Sequence, residues 1–141
     1  MFVKIDKSQL PLIKVNFGNK ITSFEELKPF FDTWHEMYEE KKNFTFLLNT
    51  QECGRIPLKY SYDMAKQISK IKKLEKQYLD RTIVIIQSKW IKKLMCLMFK
   101  IVKPVAPVYI VKDEKTFQEL YQRLQNNELK DDLEYDFLDS K

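Results

Sequence analysis

Apolar and polar residues alternate along Leu12–Phe17 (LIKVNF), the period of a half-buried strand, and Gly18-Asn19 ends it as a turn. Ser23 and Glu26 have the spacing of a capping box. After them Leu27, Phe30, Phe31, Trp34, Met37 and Tyr38 recur with helical period, and Pro29 inside the pattern predicts a first turn that is separate or kinked. FTFLL at 44–48 is nearly all apolar, as in a strand covered on both faces. NTQECGRIP at 49–57 has the composition of a loop. From Tyr62 through Ala65, Ile68, Ile71 and Leu74 to Tyr78 a second amphipathic helix is expected, with Ser61 as its N-cap. TIVII at 82–86 is the most β-branched run and predicts a central strand. Ser88–Val102 reads as a helix stopped by Pro104, VYIV at 108–111 as a strand, and Asp113 as the cap of a last helix carrying Phe117, Leu120, Tyr121 and Leu124.

The order is β-α-β-α-β-α-β-α. Strands that alternate with helices imply right-handed crossovers. The expected fold is therefore a single α/β domain, with a mainly parallel sheet of four to five strands covered by helices. A length of 141 residues suits one core. The domain is expected over residues 1–127. The stretch 128–141 holds six acids against two lysines and lacks a sustained period. It is expected either to be disordered or to fold back on the basic middle of the chain.

That basic middle is where charge changes the picture. The net charge is +5, but Lys59–Lys103 alone holds 12 Lys/Arg against 3 Asp/Glu, leaving 13 against 17 elsewhere. Such a bias points to an anionic partner. Lysines number 22 and arginines 3, which argues against specific phosphate reading by arginine forks. The basic residues are not interleaved with aromatics on a strand and no nucleic-acid motif is present, so nucleic acid is disfavoured as a partner. No apolar run approaches the roughly 18 residues of a membrane span, and the N-terminus lacks the apolar core of a signal peptide. A cytoplasmic location, or one peripheral to membranes, is expected.

Chemistry is sparse. Two glycines, Gly18 and Gly54, cannot build a phosphate-cradling loop or a dinucleotide fingerprint. Cys53 and Cys96 make no disulfide framework, and with His35 as the single histidine no metal or cofactor site is expected. Cys53 in ECGR is the best lone nucleophile, since it follows a buried strand and Arg55 can lower its pKa; a small residue in a turn is the competing reading. No catalytic residue is assigned, and the chain is expected not to be an enzyme.

Four stretches resemble the small α/β fold shared by STAS domains and CRAL-TRIO lipid-binding domains, over about Leu12–Leu124. FTFLLNTQECGRIPL is similar to the CRAL-TRIO strand that ends in an acid-containing turn. YLDRTIVIIQSKW resembles a family stretch through Tyr78, Asp80, Arg81 and Trp90, although Gln87 and Lys89 stand where that family has asparagine and proline. WIKKLMCLMFKIVKPV resembles the following helix with its closing Lys103-Pro104, and VYIVKDEKTFQEL the last strand and helix. The resemblance implies a non-catalytic binding or regulatory module. It also brings a possible phosphorylation site into view, because one STAS branch is modified on a serine that opens the helix after a buried strand. Ser61 falls near that place, without the family's Asp-Ser-Ser-Gly pattern.

The 89–103 helix supplies the candidate surface. At about 100° per residue, Lys89, Lys92, Lys93, Lys100 and Lys103 share an arc of roughly 100°, and apolar residues fill the other, about 200° wide. A helix on a sheet needs an apolar stripe of little more than about 100°. Trp90, Leu97 and Ile101 on one flank and Phe99 on the other are therefore in surplus, unless neighbouring helices cover them. The expected binding residues are Lys89, Trp90, Lys92, Lys93, Leu97, Phe99, Lys100 and Ile101. The first expectation for the partner is a protein, bound by a monomer or a homodimer; the alternative is an anionic lipid surface.

Overall fold

Before the first of the expected strands the chain makes another. In the computed structural model, which describes residues 2–128 and 133–140, β1 (Val3–Gln9) turns at Leu10-Pro11 and pairs antiparallel with β2 (Leu12–Phe17). A 3-10 turn at Phe24–Leu27 leads into α1 (Lys28–Glu39). Then follow β3 (Phe44–Asn49), α2 (Lys59–Lys72), β4 (Leu79–Ile85), α3 (Lys89–Ile101), β5 (Val108–Val111), α4 (Glu114–Gln125) and β6 (Asp136–Leu138).

The elements form one α/β domain around a sheet with the order β1-β2-β3-β4-β5-β6. The sheet has six strands rather than four to five, and it is mixed. The β2-β3, β3-β4 and β4-β5 pairs are parallel, while β1 and β6 are antiparallel edges. The two missed strands are weak locally. Only Val3 and Ile5 of β1 face inward, and β6 is three residues in an acidic stretch.

Each crossover steps one strand further in the same direction. Right-handed connections then put α1, α2 and α3 on one face of the sheet. On that face Phe30 and Trp34 of α1 and Ala65 and Ile68 of α2 pack with Ile13, Val15 and Phe46. Ile91 and Leu94 of α3 pack with Val84, Val108 and Ile110. The other face is covered by α4, whose Phe117 and Leu120 meet Leu12, Leu47, Ile83 and Val111. Over β1 and β2 that second face carries exposed Lys4, Asp6 and Asn16, which explains why no further helix is needed there.

Local signals explain most boundaries. The Glu26 carboxylate accepts N–H bonds from Thr22 (2.6 Å) and Ser23 (3.2 Å), which hold its pKa below the usual carboxylate range. The turn it caps is separate from α1, which starts beside Pro29 as expected. α2 departs from expectation at both ends. It begins at Lys59, so Ser61 lies inside its first turn and is not the N-cap. It stops at Lys72 because the Gln77 amide turns back and donates to the carbonyls of Ile71 (3.0 Å) and Leu74 (3.1 Å).

Candidate functional site

α3 starts where expected. Ser88 has extended backbone, and its hydroxyl accepts the Ile91 N–H at 3.3 Å. Ile91, Leu94 and Met98 are the buried line against the sheet, and Met95, Phe99 and Val102 are half-buried against the same core. Trp90 is committed to the fold. Its indole Nε1 donates to the Ile56 carbonyl at 2.8 Å, and the Arg55 guanidinium lies 5.1 Å from the ring centroid. The surplus apolar arc therefore narrows to half-buried Leu97 and to Ile101, which is 49% exposed.

The neighbour that narrows it is α2. The Ser61 hydroxyl donates to the Leu94 carbonyl (3.3 Å), and the Lys72 ammonium to the Lys103 carbonyl (3.3 Å), so the two helices run side by side and parallel. Ser61 is buried in that seam. A phosphoryl group there needs the helices to part. The outward side of α2 carries Lys59, Lys66, Lys70 and Lys73, spaced by seven, four and three residues and hence on one face. Tyr62, 53% exposed, shares it. Beside them α3 presents Lys89, Lys92, Lys93 and Lys100, all exposed. The α3 residues were legible from the sequence. The α2 lysines and Tyr62 were not singled out, though their spacing was a usable signal.

The 128–141 stretch also reaches this region. β6 pairs with β5, and Asp136 meets Lys92 at 2.6 Å, which raises the Lys92 pKa. Glu134 lies 3.5 Å from Lys112, and the Tyr135 ring is 5.5 Å from Tyr109. In its described part this stretch is the edge strand of the sheet, with one carboxylate on Lys92 of the basic middle; residues 129–132 and 141 lie outside the described residues.

Beneath the two helices, at the carboxyl ends of the parallel strands, is an apolar cavity of about 120 Å³. Leu48 and Val84 form its floor, Met64, Met95 and Met98 its roof, and Cys53 and Ile56 its loop side. The loop is tied down twice. Trp90 holds Ile56, and the Gly54 N–H donates to the Asn19 carbonyl at 3.1 Å. A Cβ on Gly54 would lie 2.5 Å from that same oxygen, so only glycine allows the approach.

Cys53 is a half-buried turn residue, with its N–H donating to the Thr50 carbonyl at 3.0 Å. Burial pushes its thiol up to about 11, and Arg55 stacks on Trp90 instead of activating it. His35 is exposed on α1. Among the described residues no group of three or more His, Cys, Asp or Glu could hold a metal ion, and no helix is long and apolar enough to cross a membrane. No protein-family model matches the chain, and no curated protein matches it.

Proposed function

We propose that the chain is a non-catalytic binding module of STAS/CRAL-TRIO type that docks on an anionic bilayer surface through the outward faces of α2 and α3. The observation that carries this reading is a two-helix face with eight exposed lysines around Tyr62, Leu97 and Ile101, on which the only carboxylate of either helix is half-buried Asp63. The element order behind the family resemblance, from Leu12 to Gln125, agrees with it.

Each lysine near an anionic leaflet contributes on the order of 1 kcal/mol, and the attraction fades beyond a Debye length of about 8 Å at physiological salt. Several exposed lysines on the neighbouring helices α2 and α3 act together at that range. Tyr62 and Ile101 can enter the headgroup layer, where amphipathic rings and aliphatic tips are favoured. The expected behaviour is co-sedimentation with phosphatidylserine vesicles at low salt and release at high salt. Lys66→Glu with Lys93→Glu should weaken binding on the order of 30-fold, since at least about 2 kcal/mol is removed. Failure to sediment with these vesicles at low salt refutes the reading.

A second reading, an acidic protein partner, has one observation in its favour: the chain's own Asp136 already occupies Lys92 at 2.6 Å. Under this reading vesicles are ignored, and a protein partner is captured by the wild type but not by Leu97→Asp.

A further inference from the structure

We infer that the cavity beneath α2 and α3 is a binding site for one small, uncharged apolar molecule, a single aromatic ring or an aliphatic chain of about six carbons. This does not rest on the membrane reading, because the cavity lies under the helices and the lysines lie outside them.

Three observations carry it. The first is the void itself. Protein interiors pack like organic crystals, with few voids larger than a water molecule, and an empty apolar void is destabilising. A cavity of about 120 Å³ is far above that level. It approaches the size, about 150 Å³, at which a dry engineered cavity takes up benzene or xenon.

The second is the chemistry of the wall. Thr50 and Ser61 are the aliphatic hydroxyls that line it, and both donate to main-chain carbonyls, Thr50 to Ile85 at 2.6 Å and Ser61 to Leu94 at 3.3 Å; Tyr60 also lines it, with its ring stacked on Phe24 at 6.1 Å. The Cys53 thiol is kept neutral by burial. Water needs two or more polar partners to stay in such a place, and the walls give it few. The occupant is therefore selected for lacking hydrogen-bonding groups. A charged carboxylate or phosphate would be desolvated without compensation.

The third is adaptability at one side. Met64, Met95 and Met98 line the helix side, and unbranched thioether side chains re-pack around irregular occupants at little cost. The 50–58 loop closes the other side through the Trp90–Ile56 and Gly54–Asn19 bonds.

The test is methyl NMR of the full chain labelled at methionine, titrated with benzene and, separately, pressurised with xenon. Saturable shifts of the Met64, Met95 and Met98 methyls, with a rise in Tm, are expected. Val84→Phe should fill the space and abolish the shifts. Because that variant can fail to fold, Cys53→Leu serves as a milder filling change and should weaken benzene binding at least tenfold. No methionine shift at saturating benzene and xenon overturns the proposal. Equal shifts from a long-chain fatty acid also overturn it, because the site would then take a charged molecule far longer than one ring or about six carbons. Shifts confined to surface groups near Ile101 overturn it as well, and would instead report adsorption on α3.

Discussion

Two halves of the helix-covered sheet face are built from different side chains. Under α1 the core is aromatic. Phe46 touches Phe44, Phe30 and Trp34 with ring centroids 5.0, 5.1 and 5.4 Å apart, mostly tilted or edge to face. Under α2 and α3 branched aliphatics and three methionines predominate, with Phe2, Phe17 and Tyr60 at one end, and the packing leaves an apolar pocket of about 120 Å³. Rings with fixed faces and edges interlock and leave nothing movable. Thioethers and branched aliphatics leave gaps that a ligand can use. The first half holds the domain together; the second is where binding is proposed, within and upon it.

The sharpest way to test this contrast is truncation. Phe46→Ala, at a site 1% exposed, should cost about 3–5 kcal/mol in urea unfolding. Met95→Ala at the cavity, where the side chain is only half-buried and slack is already present, should cost about 2 kcal/mol or less. Equal costs would erase the distinction between the halves.

Next in size is the loop that closes the cavity. Gly54→Ala forces a methyl group to within 2.5 Å of the Asn19 oxygen, and should lower stability by about 1–3 kcal/mol in thermal unfolding. An unchanged Tm would mean that the loop does not need its tie to the 18–20 turn.

Trp90→Phe keeps most of the ring but removes the donor to Ile56. A loss of about 1 kcal/mol is expected. It should appear as faster amide exchange at Cys53 and Gly54, whose N–H groups donate to Thr50 and Asn19, while amides of the Phe46 half keep their protection. Uniform acceleration would indicate global destabilisation instead.

The smallest effect is on Cys53. Its folded pKa of about 11 lies above the ordinary value of 9.0. Below pH 9 the thiol is neutral in both folded and unfolded chains and stability is unaffected. Between about 9 and 11 only the unfolded thiol ionises, so stability falls as pH rises, and Cys53→Ser should remove that slope. Alkylation of Cys53 should be slow at pH 8; rapid labelling there would contradict a buried, neutral thiol.

Legibility in the sequence followed how local each signal was. β2 to α4 were all readable because period, caps and breakers act within a few residues, as in LIKVNF, the Ser88 cap and Pro104. β1 was half-written in the Val3–Lys4–Ile5 alternation. β6 had no local signature, since Asp136–Leu138 is a strand only because β5 offers it an edge. The misread C-terminal end of α2 has the same cause: the Gln77 amide that stops the helix is bonded through its oxygen to Tyr38, 39 residues away in sequence.

The same division runs through the candidate site. By itself the sequence determined that α3 is lysine-rich on one side and over-supplied with apolar residues on the other, because a helix sorts side chains by angle whatever surrounds it. Tertiary structure alone decided which of those apolar residues were spoken for. Trp90 went to the Ile56 carbonyl and Phe99 to the core, leaving Leu97 and Ile101 near the solvent. It also brought the α2 lysines alongside and left a cavity beneath. Spatial neighbours and unfilled volume depend on how separate elements pack, and no stretch of chain carries that information alone.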